Sequence, residues 1–298
     1  MNRTQTFSVT IKPSGSSVEH LFHSQSRNGW PTPPPGERSS ANIYLPLNQK
    51  QIPDALANGA QIGPRDGVYV AQGSELENLE EWLPFYAKKI IEPLSVDMIP
   101  GSNWGGSLAN LLLGSSWQAI RTKYVVSTGD KCKICGYPSH DGKSVDCHEI
   151  WEYYLPKQGG KTGIQKLVDI LPVCKPCHEM FHLGKANADG RLNEVLNRLS
   201  WANRWNAHQI KEYYNYLADK WLQRNEYTWM LDLSNLKLQT PLFVKGGDTG
   251  VIIEGGNLYF RTFVGEGVTR FLGVEFGHKG STLSRNPVPS YDRYIKDV

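Results

Sequence analysis

Apolar positions recur at helical spacing through the middle of the chain and alternate towards its end. Between Leu76 and Leu94, Leu79, Trp82, Leu83 and Tyr86 fall on one helical face, with Ile90 and Ile91 following on. Pro84 kinks or splits that helix, and Pro93 stops it. The stretch from Asn103 to Ser116 carries Trp104, Leu108, Leu111 and Leu112, and a further helical stretch runs from Trp117 through Ile120 to Tyr124. Two helices are predicted within 191–224, one striped by Leu192, Val195, Leu196 and Leu199, the other by Ile210, Tyr214, Leu217 and Trp221. Trp201, Trp205 and Trp221 read as core, and Trp229 to Leu233 reads as extended. Beyond Thr240 glycines become dense, and β-branched and aromatic residues alternate around 251–253, 258–264 and 268–276, which predicts short strands. The last fifteen residues, with Pro287 and Pro289, read as a tail.

The first 75 residues are less patterned. Phe7, Val9 and Ile11 alternate within 6–12 as in a strand, and Pro31 to Gly36 is a stiff Pro-rich run, so this part is expected to be an extended arm or linker. Three regions follow: an arm over 1–75, a zinc-binding domain with flanking helices over 76–239, and a small Gly-rich β module with a tail over 240–298. The fold class is α+β.

Nine Trp and fourteen Tyr in 298 residues argue for a packed core. No apolar run approaches the roughly 18 residues a membrane helix needs, and the first residues lack the apolar stretch of a signal peptide. The expectation is a cytoplasmic protein with no membrane partner, in a compartment where paired cysteines bind metal more often than they form disulfides. A net charge of +3 permits nucleic-acid binding without demanding it.

Five cysteines change the picture most. Cys132/Cys135 and Cys174/Cys177 form two CxxC pairs, each able to place two thiolates on one ion from a tight turn. About forty residues apart, they make a closed four-thiolate site for structural Zn2+. Gly136 suits the first turn, and Lys131, Lys133 and Lys175 favour the ionised sulfurs. Between the pairs, Ser144 to Trp151 reads as a strand, Lys157 to Lys161 as a turn and Gln165 to Val173 as a returning strand. Pro176 then opens a helix expected to carry His178 and His182 one turn apart on the same face.

These stretches, Cys132-Lys-Ile-Cys135, Asp146-Cys147-His148-Glu149 and Val173-Cys174-Lys-Pro-Cys177-His178, resemble the HNH endonuclease family in a bacterial and phage subgroup, over roughly residues 104–235. The resemblance implies a ββα-metal core, hydrolysis of phosphodiester bonds in DNA, and a second divalent ion (Mg2+, Mn2+ or Zn2+) held by imidazoles, with a strand histidine as general base. Where the family pattern has a doubled histidine, this chain has His148 alone, flanked by Cys147 and Glu149, and Asp169 stands near the place of the family's central Asn. Two registers are open: Cys147 as ligand with His148 as base, or His148 as ligand with His178 and His182 and Glu149 as base. Two functional readings are open as well. One is a metal-dependent endonuclease, in the host cytoplasm if phage-encoded. The other is an inactive zinc-stabilised scaffold that binds or inhibits within a phage or bacterial assembly, with a protein partner on the arm or the β module.

Overall fold

The computed structural model describes residues 42–63, 67–88, 93–103, 107–138, 144–233, 235, 242–243, 249–254, 257–262, 269–271, 274–275 and 290–297. The strand expected over 6–12, the Pro-rich run, Ile90, Ile91 and Trp104 lie outside these residues, as do Pro287 and Pro289. In chain order the strands are β1 (Ile43–Tyr44), β2 (Gln61–Ile62), β3 (Val68–Val70), β4 (Asp146–Pro156), β5 (Thr162–Val173), β6 (Thr228–Asp232), β7 (Leu242–Phe243), β8 (Thr249–Glu254), β9 (Asn257–Thr262), β10 (Thr269–Phe271), β11 (Val274–Glu275) and β12 (Tyr294–Lys296). The helices are α1 (Ile52–Ala57), α2 (Leu108–Leu111), α3 (Gly114–Val126), α4 (Lys175–Glu179), α5 (Leu183–Ala188), α6 (Leu192–Asn203) and α7 (Ala207–Arg224). The protein is therefore mixed α+β. No helix among the described residues is long and apolar enough to cross a membrane.

The chain divides into two compact units, 1–96 with 129–145 and 173–218, and 97–128 with 146–172 and 219–298. In the first, the stretch expected to be an extended arm is folded from residue 42 onward. Its three strands pair antiparallel in the order β1-β3-β2. The reason is a short alternation the pattern reading passed over: Ile43, Leu45, Val68 and Val70 are buried, while Tyr44 and Tyr69 face outward as a cross-strand pair. The helix expected over 76–94 is instead two short 3-10 turns, Glu77–Trp82 and Phe85–Ala87. Pro84 lies between them, and Leu83 before it is extended because the proline ring denies the preceding residue the helical region. Tyr86 is nonetheless fully buried, stacked on Trp201 of α6 at 5.2 Å. Asn203, at the end of α6, accepts from the Leu94 amide at 2.6 Å and donates to its carbonyl at 3.1 Å.

The second unit is built on a five-stranded sheet, order β11-β6-β5-β4-β12. β4 and β5 are neighbours joined by a short turn, hence a hairpin, whereas β5 and β6 run parallel (Ile164 opposite Met230) and are linked by the long helical stretch between them. One face of β4 carries Cys147, Trp151, Tyr153 and Leu155 into a core shared with Leu108, Leu111, Leu112 and Ile120 of α2 and α3 and with Trp229 of β6. Gly163 is required there: a Cβ would lie 2.5 Å from the Trp229 ring. β7 to β10 form a separate four-stranded antiparallel sheet, the expected β region.

The expected tail is a correction. β12 pairs antiparallel with the edge of β4, and Asp297 beyond it is buried against Arg224 and Lys220 of α7. Tyr291 packs edge-on against Tyr154 and donates to Asp232. The sequence signal was weak, because three residues are too few to show a period and the partners of Asp297 lie more than seventy positions away.

Candidate metal centre

The two CxxC turns meet. Cys132, Cys135, Cys174 and Cys177 are all buried and unbridged, with their sulfurs within 4.8 Å of one another. Sulfurs about 2.3 Å from a tetrahedral ion sit about 3.8 Å apart, and Cys135 and Cys174 are separated by 3.7 Å. That separation suits an ion and is far beyond the ~2.05 Å of a disulfide.

Local backbone chemistry builds each turn. Cys132 donates its amide to Tyr137 O and accepts from Gly136 N, both at 2.8 Å, and Ile134 N points at Cys132 Sγ at 3.4 Å. Gly136 holds φ +77, and a Cβ there would fall 2.0 Å from Tyr44 O, so no other residue fits. Phe85 and Tyr86 donate to the carbonyls of Lys133 and Ile134, tying the turn to the second 3-10 segment. On the other side Cys174 precedes α4, accepting from His178 N at 2.8 Å, and Pro176 sits in the first turn, where its missing N–H costs nothing.

Burial pushes the Cys135 and Cys177 thiols well up. Burial opposes ionisation of Cys132 too, but hydrogen bonds from Cys135, Cys174 and Cys177 together hold it well below its ordinary value. Four adjacent thiolates in a dry site repel one another, and a divalent cation is what relieves that charge. The donor set fits Zn2+ on geometry and on softness.

The histidines also come together. His178 and His182 have their Nε2 atoms 3.0 Å apart, with rings nearly perpendicular. The route differs from the expected single helix. α4 ends at Glu179, and His182 stands at the N-cap of α5. Between them the chain tightens, with Phe181 N bonding His178 O at 3.1 Å and His182 N bonding Glu179 O at 3.0 Å, so the pair is set by a 3-10-like turn.

The residues beside His148 go elsewhere. Successive side chains on a strand point to opposite faces, and Cys147 enters the apolar core, where burial pushes its thiol up to about 11. Glu149 shares the Cys147 face and accepts from the Leu108 amide at 2.7 Å, at the start of α2. Cys147 thus packs in the core, and Glu149 holds the start of α2. Asp169 accepts from the Ile170 amide next to it at 2.8 Å.

Sequence reading missed the charged frame behind α4. Glu179 receives both Nη atoms of Arg191 at 3.0 and 2.8 Å and Nη1 of Arg198 at 2.7 Å. Burial works against the Glu179 charge, but these guanidinium bonds hold its carboxyl below the usual range. The spacing of Arg191, Glu194 and Arg198 along one helical face was the available signal. No family model, no curated protein and no solved structure matches the chain.

Proposed function

We propose that the protein is a metal-dependent endonuclease of the HNH type, hydrolysing phosphodiester bonds in DNA, with one structural zinc on the four cysteines and a second divalent ion at the histidines. The observation that carries this reading is the pairing of His178 and His182, Nε2 atoms 3.0 Å apart, at the end of a helix that starts from the thiolate site. A β-hairpin (β4, β5) followed directly by that helix is the order of elements a ββα-metal core requires.

In this reading His178 and His182 hold the second ion, and His148 takes the proton of the attacking water. Imidazole is suited to that step because its ordinary proton affinity lies near neutral pH. When bound, the ion supplies charge neutralisation at the scissile phosphate and the leaving oxygen. Imidazole donors favour Zn2+, Mn2+ or another transition ion over Mg2+, which prefers oxygen. Glu149 caps a helix and Cys147 fills the core, so neither takes part.

The test is plasmid nicking with Mg2+, Mn2+ or Zn2+. Wild type nicks, and His148→Ala loses at least about 100-fold, the lower range for removing a general base, while retaining one zinc per chain. No nicking by the wild type with any of the three ions would favour the inactive zinc-stabilised scaffold.

A further inference from the structure

We propose that Glu179 is the positioning residue of the histidine pair, acting through its bonds to Arg191 and Arg198. This rests on the reading of His178 and His182 as metal ligands.

α4 spans five residues, Lys175–Glu179, and isolated helices shorter than about 12 residues are marginal in water. Its first turn is held by Cys174 and Cys177 in the thiolate site. Its last residue needs a separate anchor, since the two histidines stand on either side of that end. Met180 and Phe181 are buried and fix the depth of the turn. Glu179 fixes its lateral position. Its carboxylate accepts a bidentate fork from Arg191, at 3.0 and 2.8 Å, and a third bond from Arg198 at 2.7 Å. Fork geometry specifies orientation as well as distance.

Both arginines belong to α6: Arg191 is its N-cap residue and Arg198 lies about two turns on. Glu194 between them pairs with each. Arg198 has a side chain only 8% exposed, so its guanidinium depends on these carboxylates. The frame therefore runs from a continuous twelve-residue helix to the residue that follows His178 and whose carbonyl accepts from His182 N. A displacement of Glu179 changes the 3.0 Å separation of the two Nε2 atoms directly. The thiolate site has further anchors in the first CxxC turn, where Phe85 N and Tyr86 N bond the Lys133 and Ile134 carbonyls.

The test uses the full chain loaded with Co2+, in which thiolate-to-metal charge transfer reports the cysteines and the weaker d–d bands of a nitrogen site report the histidines. Glu179→Gln keeps the shape and removes the charge. Its Co2+ affinity at the histidine site is expected to fall about 10- to 100-fold, the range for losing a group that orients a ligand, with the charge-transfer band unchanged. Glu179→Asp, which keeps the charge, is expected to recover part of the loss. Removing the neighbouring exposed pair Lys185–Asp189 by Lys185→Ala should leave the affinity as in wild type. A lower melting temperature for Glu179→Gln with histidine-site affinity within twofold of wild type would make the residue merely structural and overturn the proposal. If Glu179→Gln does not fold, Arg191→Gln, which removes only the more exposed arm, carries the same test: a several-fold loss supports it, and unchanged affinity refutes it. A wild type that shows cysteine bands and no nitrogen-site bands removes the metal-ligand reading itself, and this proposal with it.

Discussion

Asp297→Ala should destabilise the second unit by an amount the structure specifies. The carboxylate is 2% exposed and accepts from Arg224 Nε at 2.7 Å, and its other oxygen pairs with Lys220. Arg224 is 6% exposed, lies 3.9 Å over the Tyr153 ring, and keeps one other anion, Asp97, at 2.8 Å. Removing one partner of a buried pair typically costs about 3–5 kcal/mol because the remaining charge stays desolvated. Asp97 limits the damage to Arg224, so the lower end applies, about 3 kcal/mol. In a folding unit of about 150 residues that corresponds to a melting-temperature fall of about 10 °C. The assay is thermal unfolding followed by circular dichroism at saturating zinc, so that the thiolate site is equally filled in both proteins. Lys296→Ala is the control: it removes an ion pair to Glu152 whose lysine is 48% exposed, a loss of less than about 1 kcal/mol. A fall of less than about 3 °C for Asp297→Ala would refute the argument that this buried charge fastens β12 to the sheet.

Two further outcomes follow from the site. Cys132→Ser should release the structural zinc and unfold the first unit, since a four-thiolate site contributes on the order of 10 kcal/mol of apparent folding energy; limited proteolysis with and without a chelator checks this, and a protease-resistant, zinc-free variant would contradict it. Glu149→Ala should lower stability by about 1 kcal/mol, as the loss of a helix cap does, and leave nicking within a few-fold of wild type, whereas a collapse of activity with stability intact would return Glu149 to the chemistry.

What was legible in the sequence was what short-range chemistry dictates. Cys132/Cys135 and Cys174/Cys177 announce themselves by spacing, and the two strands and the helix around them were found in the right order, although β4 runs on to Pro156 beyond the expected Trp151, β5 begins at Thr162 before the expected Gln165, and the helix ends at Glu179, short of His182. The stripes of α6 and α7 were equally plain, with Val195, Leu196, Leu199, Ile210 and Leu217 all buried. Period was misleading where prolines intervened: Leu79, Leu83 and Tyr86 are buried as expected, but from 3-10 turns around Pro84. His178 and His182 have i,i+4 spacing, yet their contact is made across a helix end, a distinction spacing alone does not carry. Which face of β4 carries Cys147 and Glu149 was not legible, because it depends on how β4 packs on α2 and α3. The partners of Asp297 are tertiary, and no local rule points to them; for Glu179 the spacing of Arg191, Glu194 and Arg198 marks only the helical side of the frame.

The central claim is that one chain holds two ions of different character, and metal content of the purified, zinc-saturated protein tests it most directly. Two zinc ions per chain are predicted for wild type, falling to one in a His178→Ala/His182→Ala variant that stays folded. A single ion per chain in wild type, unchanged by that double substitution, would contradict it.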